Sequence, residues 1–257
     1  MSAPIEIEDN QGDVIGVGVD GSGNIIGKNI SVIINEFSQD CGLSFIPPNY
    51  FKENTNTDEN FNQWLDKGYP LSLESVYQGR ELKRDRILNE IRDRLEEKKR
   101  LLVLGESGTS KTILLNEVIC EYFDKGFKIL YNTGGNNLKD TITIIDKIKG
   151  LALAGNKVLV VVDNVHTPQV SLIFHVVKNL NSINEENRKN IRFLLAARLP
   201  EFTWSLDRNL FGDVALVQTI KSLFGTDEFK LIVKYFDKEE VKAFIKKYHS
   251  FKSITNK

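Results

Sequence analysis

A chain of 257 residues can hold one large α/β domain, or a medium domain with a small appendage. Its 41% hydrophobic and 27% charged residues are those of an ordinary soluble globular protein, which excludes a fibrous or wholly disordered one. The net charge of −1 gives no reason to expect nucleic acid, since the basic run Lys98, Lys99, Arg100 follows Glu96 and Glu97 and leaves only a local patch open.

In chain order, residues 1–37 form a Gly/Val/Ile/Asn-rich, β-prone or disordered segment, with β-branched residues and glycines alternating from Gly12 to Asn35. Residues 38–75 turn polar and irregular, with Pro47-Pro48 and the run from Glu53 to Asn60, and read as a linker. Residues 76–236 read as a core domain. Leu82, Ile87, Ile91 and Leu95 predict an amphipathic helix from Gln78 to Lys99. Strands are expected at 101–105, 127–132, 158–163 and 192–198, with helices at 111–123, 138–155 and 168–180 between them. After Arg198 the pattern weakens: 229–236 reads as a fifth strand and 238–249 as a short helix, within a C-terminal part at 237–257. Alternating strands and helices predict a three-layer α/β/α fold around a mostly parallel five-stranded sheet.

The longest apolar runs, such as 158–162 and 193–197, are far too short to cross a bilayer, and no basic start with an apolar stretch opens the chain. This points to the cytoplasm and to no membrane partner. Cys41 and Cys120 are too few and too poorly spaced for a disulfide framework or metal knuckle. Trp64 and Trp204 read as packing residues.

The densest chemistry lies where the first core strand meets its helix. Gly105, Glu106, Ser107, Gly108, Thr109, Ser110, Lys111 and Thr112 match a Walker A loop in the strand-to-helix context such a match requires. Consecutive backbone N–H groups and a helix N-terminus would face phosphate, with Lys111 on the β and γ phosphates and Thr112 on Mg²⁺. Ser110 departs from the pattern, which has glycine there. A glycine-rich turn without ligand is the alternative. Asp163 ends an apolar strand one helix and one strand later, as a Walker B acid would; Asn164 follows where fast ATPases carry glutamate, so hydrolysis should be slow. Arg198, at the tip of the next strand, could reach the γ phosphate or simply be solvated. His166 reads better as a turn residue than as a catalytic one.

Together with VLVVVDNVH, LLAAR and VYQGRELKRDRILNEI, these motifs make the chain resemble the STAND class of signal-transducing NTPases (NACHT/NB-ARC-like) over Trp64 to Tyr248. The resemblance implies a nucleotide switch binding ATP or ADP with Mg²⁺. It places Gly79, Arg80 and Glu81 on the adenine side, Lys111 and Thr112 on phosphate and metal, Asp163 on Mg²⁺, and Arg198 as the sensor. It also implies a helical lid beginning near residue 237, homo-oligomerisation on activation, and an effector protein engaged by the N-terminal segment. STAND proteins usually continue through a winged helix and repeats, so either this chain is a fragment or its partner is another chain.

The string from Gly16 to Gly21 is a formal G-x-G-x-x-G without the strand and helix a dinucleotide site needs. The low charge and absence of proline from Val14 to Ile34 suit cross-β stacking, and this stretch resembles the amyloid-signalling motifs of some STAND proteins; a disordered or hairpin-forming tail is the alternative. For the whole chain the competing readings are a motor or loader ATPase of the AAA class and a non-catalytic nucleotide-binding scaffold.

Overall fold

A computed structural model describes residues 41–53, 71–79, 84–133, 137–181, 188–209, 211, 213–243 and 245–246, together with the backbone of four short strands within residues 6–26. The chain divides into two compact units, Met1–Gln39 and Asp40–Lys257. In the first, β1 (Glu6–Glu8) pairs antiparallel with β2 (Val14–Gly16), and β3 (Gly18–Val19) with β4 (Ile25–Ile26). Two- and three-residue strands are what closely spaced glycines allow, because glycine weakens strand interiors and favours turns.

The second unit is built on a six-stranded sheet in the order β10-β6-β9-β8-β7-β5. Its strands are β5 (Ser44–Phe45), β6 (Arg100–Gly105), β7 (Lys128–Asn132), β8 (Val158–Val162), β9 (Ile191–Arg198) and β10 (Lys230–Val233). All neighbours are parallel except β5, which runs antiparallel on β7. The helices are α1 (Tyr50–Glu53), α2 (Leu73–Tyr77), α3 (Asp85–Lys98), α4 (Lys111–Asp124), α5 (Thr141–Leu153), α6 (Ile173–Asn181), α7 (Leu199–Asp207) and α8 (Val214–Phe224).

Both faces of the sheet are covered, which is why its central strands are apolar at every position rather than at alternate ones. On one face Leu101, Val103, Ile129, Val161, Leu194 and Ala196 join a core with Leu88, Ile91 and Leu95 of α3 and Leu114, Leu115 and Val118 of α4. The alternate residues, among them Leu102, Leu130, Val160 and Leu195, are equally buried, and on that side α5 packs on β8 and α7 on β9. Phe174 of α6 there meets Phe202 of α7 and Phe224 of α8. No described helix is long and apolar enough to cross a membrane.

The α/β/α architecture and mostly parallel sheet match the expectation from sequence; the strand count is six rather than five. The sixth, β5, comes from the stretch read as linker. Cys41, Leu43, Ile46 and Phe51 are buried, and Phe51 stacks on Tyr77 at 3.8 Å between ring centres. A two-residue strand followed by Pro47-Pro48 carries no periodicity to detect. The lead-in helix begins at Asp85 rather than Gln78, because Gly79 takes φ +86° just after α2. Helices α7 and α8 fill the region where the sequence pattern weakened. Trp204 on α7 is exposed, not packed.

Candidate phosphate-loop site

The parallel register places Gly105 beside Arg198 and beside Val233, and Val162 beside Leu195, so β6, β8, β9 and β10 end along one edge. Open α/β sheets bind ligands at this carboxyl edge. The loop 106–110 leaves β6 there and turns into α4. Gly108 has φ +79°, which side chains with a Cβ resist. Gly105 is needed for another reason: an added Cβ would lie 2.6 Å from the Val233 carbonyl and 2.7 Å from Thr109 Oγ1. Ser110 also stands in the left-handed region, at φ 64° and ψ 20°, which costs a non-glycine residue about 1 kcal/mol.

Lys111 is folded into the loop. Its ammonium donates to the carbonyls of Gly105 at 3.0 Å and Glu106 at 2.8 Å and lies 3.4 Å from Thr109 Oγ1. Burial lowers its pKa, while Asp163 opposes that shift. The Thr112 hydroxyl donates to Asp163 Oδ2 at 2.5 Å, and the Asn164 N–H donates to Oδ1 at 2.7 Å. Asp163 is only 2% exposed. Burial raises its carboxyl above the usual range, and these hydrogen bonds and Lys111 offset part of that. A hydroxyl and a buried carboxylate meeting oxygen to oxygen offer hard ligands suited to Mg²⁺, which takes one or two protein ligands and fills the rest with phosphate and water.

Arg198 projects from the tip of β9 with its side chain half exposed, 3.5 Å from Glu201 in the first turn of α7. His166 Nδ1 accepts the Arg198 backbone N–H at 3.4 Å, which fixes the turn after β8 against β9. Burial lowers the His166 pKa, and Glu201, Arg198, Asp163 and Lys111 all act on it through space. The structure thus brings Lys111, Thr112, Asp163 and Arg198 to one edge.

A further set of contacts around the loop is not legible in the sequence. Arg84, only 3% exposed, donates to Thr109 O at 3.1 Å, Ser110 Oγ at 3.3 Å and Lys234 O at 3.1 Å. It also forms a two-pronged pair with Glu240, both contacts at 3.0 Å. The Tyr235 hydroxyl lies 3.1 Å from the Glu106 carboxylate and 3.1 Å from the Ser107 carbonyl. Arg84 stands in a run of charged residues that nothing distinguishes in sequence. Glu240 was legible in principle: Asp237 Oδ1 accepts the Glu239 and Glu240 N–H groups, and Glu240 accepts that of Asp237 in return, a capping box. Of the adenine-side residues implied by the resemblance, Gly79 follows α2, and Arg80 and Glu81 lie outside the described residues.

A loop from the β6 tip into α4, with β9 inserted between β6 and the Asp163 strand, decides the architecture. The fold is that of the P-loop NTPases. No family model and no curated protein matches this sequence. Solved structures match the chain at low sequence identity. A closed-state reconstruction of Hsp104 with ATPγS and FITC casein shares 14% identity over 68% of this chain and 31% of that one, at a TM-score of 0.45. Aeropyrum pernix ORC2 in ADPNP-ADP complexes shares 15% identity over 72% and 54%, at 0.41. AMPPCP-bound DnaA from Aquifex aeolicus shares 17% over 80% and 55%, at 0.34. The chain therefore spans about a third to just over half of these proteins. With every TM-score under 0.5, the fold assignment rests on the chain's own strand order and loop.

Proposed function

We propose that this chain binds a nucleoside triphosphate, ATP with Mg²⁺, and acts as a nucleotide-gated switch of the STAND kind with slow hydrolysis. The observation that carries the reading is the convergence of Lys111, Thr112, Asp163 and Arg198 on the edge where the 105–112 loop turns into α4. In this reading the loop N–H groups from Glu106 to Thr112 cradle phosphate, and Lys111 exchanges its two carbonyl partners for phosphate oxygens. Thr112 and Asp163 hold Mg²⁺, which when bound neutralises charge on the phosphates. Arg198, tethered by Glu201, reaches the γ phosphate and loses its partner when that phosphate leaves. Gly79 and Arg80 remain the proposed adenine side.

Slow turnover follows from Asn164. Its side-chain amide is not basic enough to accept a proton from water. A motor ATPase would need a carboxylate brought in from elsewhere. The N-terminal segment would then be the output, assembling with copies of itself and engaging an effector when nucleotide state exposes it.

Titrating labelled ATP with Mg²⁺ into the wild type and Lys111→Ala tests the binding step. Loss of binding in the variant supports the switch, while equal binding supports a scaffold. Steady-state turnover then separates switch from motor, which should exceed about one per second. A peptide of residues 10–36 that stays monomeric and ignores thioflavin over days would remove the assembly role.

A further inference from the structure

Ser110 occupies a loop position whose backbone suits glycine, yet the chain surrounds it with a buried arginine. Arg84 Nη1 reaches both Thr109 O and Ser110 Oγ. The Thr109–Ser110 peptide is trans, so pinning its carbonyl toward Arg84 turns the Ser110 N–H to the opposite side, away from Arg84. The guanidinium is itself held from three directions: by Glu240 through two contacts, by Lys234 O, and by the Phe236 ring 4.5 Å from its centre. Every one of these holders lies in residues 234–240, just beyond β10. A planar fork with five donors can satisfy so many acceptors at once, which lysine cannot.

We propose that Arg84 is a positioning residue for the phosphate loop, holding Ser110 in its left-handed conformation and aiming the Ser110 N–H at phosphate. Its pairing with Glu240 makes the segment 234–240 part of that support. The idea rests on the nucleotide reading of the loop. It explains why a serine is tolerated here: the hydroxyl accepts a hydrogen bond that glycine would not make, and this offsets the cost of φ 64°. It also gives the C-terminal segment a direct grip on the phosphate donors, so any movement of 234–240 that withdraws Glu240 frees Arg84 and loosens the 109–110 peptide.

The test uses the full chain carrying Arg84→Lys, Glu240→Gln, Ser110→Gly and the two double combinations with Ser110→Gly. Two quantities are read: affinity for a fluorescent ATP analogue with Mg²⁺, and amide exchange of residues 109–112 without nucleotide. Arg84→Lys should weaken binding about tenfold in the wild-type background and under about threefold with Ser110→Gly, because glycine holds the turn unaided. Glu240→Gln, placed at the surface end of the pair, should show the same pattern at smaller amplitude and speed exchange at 109–112 several-fold. Equal penalties in both backgrounds, or unchanged exchange in Glu240→Gln, would overturn the proposal. If Arg84→Lys does not fold, the Glu240→Gln pair gives the same comparison. If wild type and Lys111→Ala bind nucleotide alike, the nucleotide reading falls, and the exchange measurement alone decides whether Arg84 and Glu240 set the loop.

Discussion

Lys111 and Arg192 show how differently two buried cations can be used. Lys111 donates to two loop carbonyls that any helix-opening loop would offer, so its removal should cost the fold little and phosphate binding much. Lys111→Ala is expected to melt within a few degrees of wild type while Mg-ATP no longer raises its melting temperature, as ligand-melting curves would show. Arg192 is structural. Its Nη2 meets Glu96, its Nε and Nη1 have no hydrogen-bond partner among the described residues, and its guanidinium lies over the Phe127 ring at 4.9 Å. Burial would raise the Glu96 carboxyl, but Arg192 and the Tyr122 hydroxyl reverse this and hold it below the ordinary carboxylate value. A depressed carboxyl stabilises the fold above its unfolded pKa and loses that contribution as pH falls through its folded value. Glu96→Gln should therefore cost about 1 kcal/mol at pH 7, a modest figure because the carboxylate is half exposed and screened. In denaturant titrations the difference should begin to shrink as pH falls past the free carboxylate value, about 4, and be gone only below the depressed folded value. A gap independent of pH would mean the pair contributes through packing.

At the scale of elements, long periodic segments were legible and short ones were not. The helix α4 and strands β6, β8 and β9 announced themselves because unbroken apolar runs between turn residues leave few alternatives. The stretch 41–53 gave no such signal, since its burial depends on contacts with β7, α2 and α4 rather than on its own pattern. Phe51, 7% exposed, packs edge-on to Phe123 of α4 as well as face-on to Tyr77. Phe51→Ala should cost about 3 kcal/mol in urea unfolding, the usual penalty for emptying a buried aromatic site. A loss under about 1 kcal/mol would mean that this stretch behaves as the linker its composition suggests. The Asp237–Glu240 capping box is legible in sequence, yet only the fold brings Glu240 onto Arg84.

Across the whole molecule, the division at Gln39 and Asp40 has a direct consequence. A chain beginning at Asp40 should melt within about 2 °C of the full chain and keep its nucleotide affinity, because its sheet and core lie beyond that point. A large drop would show that the first unit supports the second. Cys41 and Cys120 are both buried, and burial pushes the Cys120 thiol up. Thiol reagents should label either one only as fast as the domain opens, and faster labelling would reveal local opening around α1 and α4. The sequence by itself determined the α/β class and the strand–turn–helix around residues 105–112, with Lys111 and Thr112 opening α4, Asp163 just after β8 and Arg198 at the end of β9, since local spacing and apolar periodicity encode strands, turns and helices. Only the tertiary structure decided the strand order, the edge strand β5 and the support of the loop by Arg84, Tyr235 and Glu240. These depend on contacts between residues far apart in the chain, up to 129 residues for Tyr235 with Glu106 and 156 for Arg84 with Glu240, and the chemistry of an isolated arginine or glutamate carries no address for its partner.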